Sequence, residues 1–139
     1  MDDKELVNFV LSFAGEMNAL QRRYAPLLES ARGRGGTAAV FTAYRAEAGM
    51  LYGRYLTPRE RCCCMSIASP PIYAALEGLT LSTVERKGKN RAVVELLTSE
   101  GRLDFQFNLV CKNGEWRISS FRQRLHSGRR IYRWVYGDF

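Results

Sequence analysis

The sequence holds a single histidine, only four cysteines and four prolines, and no apolar run long enough to span a bilayer. With His126 alone, a metal centre built from several imidazoles is excluded. One candidate imidazole base is left, in a Leu-His-Ser-Gly turn context where the ring is expected to be solvated. Cys62, Cys63 and Cys64 are adjacent and Cys111 stands apart, which gives neither a loop-stapling framework nor Cys-x-x-Cys zinc spacing. Neighbouring side chains on a helix point about 100° apart, so the triplet does not converge on one ion, and no nearby histidine activates a thiolate. It is read as small apolar side chains near a helix end. The longest uncharged stretch, Cys62 to Leu76, contains Pro70 and Pro71 and falls short of the roughly 20 apolar residues of a membrane span. The opening Met1-Asp2-Asp3-Lys4-Glu5 lacks the basic leader of a secretory signal, so Leu6 to Ala14 is read as helix and a cytoplasmic location is expected.

What is present is an ordinary globular composition, with 46% hydrophobic, 25% charged and 12% aromatic residues in 139, which suits one domain over 1–139. Charge is uneven: residues 1–78 carry nine Lys/Arg against eight Asp/Glu, and residues 79–139 carry twelve against six. Most of the net +7 is therefore C-terminal. Arg117, Arg122, Arg124, Arg129, Arg130 and Arg133 fall within seventeen residues that contain no acid. Guanidinium forks suit carboxylates and phosphates, so an acidic partner is expected, with a solvated basic face as the alternative.

Residues 1–78 read as helical. Leu6, Val10, Phe13, Met17, Leu20, Tyr24 and Leu27 step by fours and threes along one helical face, behind a cap at Asp2, Asp3 and Glu5. Pro26 is expected to bend or loosen the last turn, and Gly33-Arg34-Gly35-Gly36 to end the helix. Thr37 is the expected cap of a second helix that buries Val40, Phe41, Tyr44, Ala48, Leu51 and Tyr55, with Gly49 and Gly53 admitting a close neighbour. Thr57-Pro58-Arg59-Glu60 has the order of a capping box, so a short third helix is expected through the cysteines as far as Ser69-Pro70-Pro71.

From residue 79 the period changes to two. Leu79 to Lys87, Arg91 to Ser99, Leu103 to Cys111 and Glu115 to Arg124 read as strands, with a fifth strand or tail from Ile131 to Tyr136. Asn113-Gly114 marks a type I′ hairpin, because both turn positions need positive φ. Helices first and then an antiparallel meander make an α+β fold, with the helices on one face of a bent sheet and a concave pocket between them as the place for a ligand.

Four stretches carry a family resemblance. They are Tyr55-Leu56-Thr57-Pro58-Arg59-Glu60-Arg61, Ser69-Pro70-Pro71-Ile72-Tyr73, Ala92-Val93-Val94-Glu95, and Phe105-x-Phe107 leading to Lys112-Asn113-Gly114-Glu115-Trp116-Arg117-Ile118-Ser119-Ser120. Together they resemble the nuclear transport factor 2-like superfamily and, within it, the immunity proteins of bacterial polymorphic toxin systems. The resemblance implies a cystatin-like cone and a non-catalytic protein that binds and neutralises a cognate toxin with an acidic surface. No cofactor, metal ligand or catalytic residue follows from it. Because interface energy concentrates on aromatic and arginine anchors, the expected contact residues are Arg122, Arg124, Arg129, Arg130, Tyr132, Arg133, Trp134 and Tyr136. Trp116 and Ile118 are expected in the core.

Two other classes compete. The superfamily includes enzymes that work inside the cone, for which Asp104 is a candidate base and Tyr44, Tyr52, Tyr55 or Tyr73 candidate hydrogen-bond donors. However, Asp104 alternates against the apolar residues of its strand and is expected to face solvent or the sheet's other layer, and the tyrosines read as core or rim. Nucleic-acid binding is suggested by the charge and the interleaved aromatics, but no recognition motif accompanies them and specific binding is not expected. Sheets of this superfamily often pair face to face, so a homodimer stays open, against the polar row Asp104, Gln106 and Asn108.

Overall fold

The computed structural model describes residues 1–59, 66–78, 80–98, 103–127 and 130–139, and for 126, 127, 130 and 131 the backbone alone. Helix α1 spans Asp3–Arg32. It opens on a full capping box, in which Asp2 accepts from the Glu5 N–H at 2.8 Å and Glu5 accepts from the Asp2 N–H at 3.1 Å. The expected apolar face is buried from Leu6 to Tyr24, but the last expected member is replaced: Leu27 is 51% exposed and Leu28 is 5% exposed. Four-residue steps from Leu20 through Tyr24 carry the buried stripe to Leu28. The helix, in which Pro26 was expected to bend or loosen the last turn, runs on unbroken through Pro26 to Arg32.

Helix α2 spans Ala38–Tyr55 and buries Tyr44, Ala48 and Leu51, with Val40, Tyr52 and Tyr55 packed partly against the core. Thr37 stands at its cap, but its hydroxyl makes no cap bond. The expected close approach at Gly49 and Gly53 is not observed, since a Cβ at either position would meet nothing within 4 Å. The two helices are joined by paired clusters of Arg, Glu and Tyr. Glu47 takes Arg23 and the Tyr24 hydroxyl, and Glu16 takes the Tyr55 hydroxyl and, at 3.5 Å, Arg54. The expected helix through the cysteine triplet falls on 60–65, outside the described residues. A single 3-10 turn, Ala74–Glu77, precedes the sheet, and Glu77 anchors it to α1 through Arg22 and Asn18.

The strands are β1 (Thr80–Arg86), β2 (Arg91–Thr98), β3 (Leu103–Lys112), β4 (Glu115–Ser127), β5 (Arg130–Ile131) and β6 (Val135–Tyr136). They form an antiparallel sheet in the order β1-β2-β3-β4-β5, with β6 also paired to β4. The expected last strand from Ile131 to Tyr136 is thus two short ladders at the far end of β4. Asn113 and Gly114 take φ of 54° and 78°, as the type I′ hairpin requires. The fold is α+β, two N-terminal helices packed on an antiparallel sheet.

Past the hairpin, a bulge changes which side chains face the helices. Leu109 pairs with Ile118, but Asn108 pairs with Ser120, so one extra residue sits in β4. Strict alternation from Trp116 and Ile118 would have turned Arg122 and Arg124 inward. The extra residue instead turns Phe121 inward, opposite Phe107, and both arginines outward, opposite Gln106 and Asp104.

Candidate functional site

The helix side of the sheet is filled by aromatic rings. Tyr73 lies at its centre, with ring centroids of Phe13, Phe105, Phe107 and Phe121 between 5.5 and 5.9 Å away. Phe139 closes the cluster, 5.0 Å from Phe121 and 5.8 Å from Phe13. Gly137 lies so close over the Phe121 ring that a Cβ there would overlap it, and its N–H donates to the Phe121 carbonyl at 3.1 Å. The space left beside this cluster, lined by Met17, Gln21, Tyr44, Tyr52, Tyr73 and Phe139 among others, is about 30 Å³. Small-molecule sites commonly run to roughly 300–1,000 Å³.

The candidate donors are accounted for in this packing. The Tyr44 hydroxyl accepts from the Gln21 amide at 3.3 Å and lies 3.4 Å from the Ser66 carbonyl, and burial raises its pKa. Burial pushes the Tyr73 hydroxyl well above the ordinary tyrosine value, and Tyr55, desolvated and donating to Glu16, is pushed up to about 12. Such hydroxyls stay protonated and serve the core or its rim. Tyr52 borders the same cluster.

The outer side is polar and laid out in cross-strand rows. Glu95, Gln106, Arg122 and Tyr136 follow one another across β2, β3, β4 and β6. The Gln106 amide donates to Glu95 at 2.7 Å, and the Arg122 guanidinium lies 5.7 Å from the Tyr136 ring centre. Arg122 Nε and Gln106 Oε1 are buried and unbonded, and Arg122 has no ion-pair partner among the described residues. The next row places Asp104 opposite Arg124. Asp104 is 2% exposed, where solvent had been one expectation, and it lies on the sheet's other layer as the alternation required. Its carboxylate accepts from Arg124 Nε at 3.2 Å and from the Thr98 N–H at 3.1 Å, while the Trp134 ring covers the Arg124 guanidinium at 4.3 Å. This ion pair is built into the sheet.

Of the eight expected contact residues, five meet at the β4–β6 edge: Arg122, Arg124, Tyr132, Trp134 and Tyr136, tied by the two stacks and by the Tyr132 N–H donating to the Leu125 carbonyl at 3.1 Å. Arg133 is exposed in the same segment. Only the backbone of Arg130 is described, and Arg129 and the cysteine triplet lie outside the described residues; His126 is placed by its backbone in β4. Exposed apolar surface gathers along this edge, with Tyr136 at 71%, beside Val135, Leu125 and Tyr132.

A concave pocket was expected between helices and sheet, but of its candidate donors only Tyr52 lines the cleft that is present. A cleft of about 880 Å³ lies between the end of α2 and the β3–β4 hairpin, lined by residues that include Tyr52, Leu56, Arg59, Val110, Lys112 and Arg117. Its signal in the sequence was split between two segments about fifty positions apart, and their meeting depends on the parallel bridge between Leu56 and Ile118.

No described helix is long and apolar enough to cross a membrane, and no cluster of potential metal ligands occurs among the described residues. Comparisons with protein-family models, curated proteins and solved structures find no match to the chain.

Proposed function

We propose that this is a non-catalytic binding protein of the immunity kind, a cone of the nuclear transport factor 2-like type that neutralises a cognate bacterial toxin by contact through its β4–β6 edge. The observation that carries the reading is the contrast of volumes and surfaces. The space beside the aromatic cluster is about 30 Å³, while arginine and aromatic side chains are presented together on the outside. A pocket enzyme needs room where Tyr73 and the four phenylalanines sit. A contact inhibitor needs a rigid edge with aromatic and arginine anchors.

Within that edge the roles divide. Arg124 is committed to Asp104 and Trp134, and so holds the edge in shape. Arg122 and Arg133 carry charge that no described acid neutralises, and Tyr132 and Tyr136 offer apolar area beside it. A basic edge of this kind suits an acidic cleft on the partner, where complementary charge speeds encounter and fixes register. The test is co-expression with the product of the neighbouring gene, followed by pull-down on this chain and a growth assay with and without it. A stable complex and rescue of a toxic neighbour are the expected result. No complex and no toxicity overturn the reading.

A further inference from the structure

We propose that the cleft between α2 and the β3–β4 hairpin binds a small organic anion, with its charged head on the cleft's lysine and arginine side chains and an apolar body over Leu56 and Tyr52. The proposal is independent of the toxin reading, because it uses none of the residues of the β4–β6 edge.

The cleft is large enough for a small molecule. At about 880 Å³ the cleft lies within the usual range of small-molecule sites, and it far exceeds the space beside the aromatic cluster. Its walls are held from both sides. The Leu56 N–H closes α2 onto the Tyr52 carbonyl at 2.8 Å, and the Thr57 N–H donates to the Ile118 carbonyl at 2.9 Å, which fastens the outgoing chain to β4. Opposite, the hairpin is fixed by the positive-φ pair Asn113-Gly114. A preformed cleft spares a ligand the cost of ordering its site.

Among the described residues the lining contains three cations, Arg59, Lys112 and Arg117, against one carboxylate, Glu115. Glu115 is already matched by Arg117 at 3.3 Å, and Arg117 also donates to the Trp116 carbonyl at 3.0 Å. Arg59 and Lys112 are exposed and have no ion-pair partner among the described residues. An anion entering the cleft gains two charge-assisted donors without breaking an existing pair. The negative end of the α2 dipole opposes it on the helix side, so Lys112 on the hairpin wall is the stronger donor and Arg59 the weaker one, and the test calls for millimolar ligand.

On the floor of the cleft Leu56 is buried, Tyr52 and Val110 are half-buried, and Gly53 leaves its part of the wall open, since a Cβ there would meet nothing within 4 Å. A planar apolar body fits that surface better than a fully hydrated anion does.

The isotope-labelled full chain is titrated with phenylbutyrate, with phenyl phosphate and with the uncharged phenylbutanol, following amide shifts at low and at physiological ionic strength. The expected result is saturable shifts confined to Gly53–Arg59 and Lys112–Arg117, at least about tenfold tighter for an anion than for the alcohol. Preference for the carboxylate or for the phosphate identifies the head group, and either supports the site. The double variant Arg59→Gln with Lys112→Gln, both on the surface, keeps the parent's unfolding midpoint and loses at least about tenfold in affinity. Absence of saturation, shifts spread over all basic residues, or undiminished binding by the double variant overturns the proposal.

Discussion

The two faces of this sheet are made from the same strands by alternation, and they differ in almost every other respect. The helix side joins Phe105, Phe107 and Phe121 to Tyr73 and Phe139 in one packed aromatic cluster. The outer side sets Glu95, Gln106 and Arg122 in one row and Asp104 and Arg124 in the next, ending on the rings of Tyr136 and Trp134. The first face is packed with rings, and the second presents arginine and aromatic groups, which the proposed function uses for contact. Packing and exposed charge therefore lie on opposite sides of the same strands, and the proposed contact uses the outer one. Substitution of an exposed outer side chain that makes no structural bond is expected to leave stability intact.

The strongest test of this division is Phe121→Ala. It removes the ring that touches Tyr73, Phe105, Phe107 and Phe139 and is expected to cost about 3–5 kcal/mol in chemical denaturation. Trp116→Ala, on the same side near the hairpin, belongs in the same range, and a parent-like unfolding midpoint for either contradicts the packed interior. Asp104→Ala sharpens the comparison, because it is an outer-face residue with a structural task. It leaves the Thr98 N–H without its acceptor and Arg124 without its carboxylate, at an expected cost of about 1–3 kcal/mol. Gly137→Ala is expected to destabilise by about 1–3 kcal/mol as the methyl displaces the Phe121 ring.

Smaller effects are expected from the surface clusters that join the elements. Hydrogen bonds from Tyr24, then Arg23, hold the Glu47 carboxyl below its ordinary range, and Arg22 does the same for Glu77. A depressed carboxylate pKa stabilises the fold above the unfolded value, and that contribution disappears as pH falls through the folded one. Thermal midpoints measured from neutral pH down through the carboxylate range should fall less in Glu47→Gln than in the parent, and an identical slope removes Glu47 from the account. At the bottom of the scale, Arg133→Glu with Tyr136→Ala should leave the unfolding midpoint unchanged, since both side chains are exposed.

Much of the helix side was legible from the sequence. The α1 stripe, the strand alternation in β3 and the Asn113-Gly114 turn fixed the elements because each is a local periodicity or a local backbone requirement. Leu27 and Leu28 show the limit of that reasoning, as a continuous helix through Pro26 buries the second and exposes the first. The candidate edge was legible as composition, since six arginines without an acid stand out, but not as geometry. Counting pairs outward from the hairpin turn misassigns the far half of β4 by one residue, because the bulge beside Ile118 leaves no mark that periodicity reads. That one residue decides whether Arg124 meets Phe105's side of the sheet or Asp104. The α2 cleft was illegible for a similar reason, as it depends on Leu56 meeting Ile118.

The most direct measurement compares growth rescue by the parent and by the Arg133→Glu, Tyr136→Ala double variant, each co-expressed with the product of the neighbouring gene and each checked for the same unfolding midpoint. The account predicts that the parent restores growth and the equally stable variant does not. Rescue by the variant to the parent's level would contradict it and remove the β4–β6 edge as the binding surface.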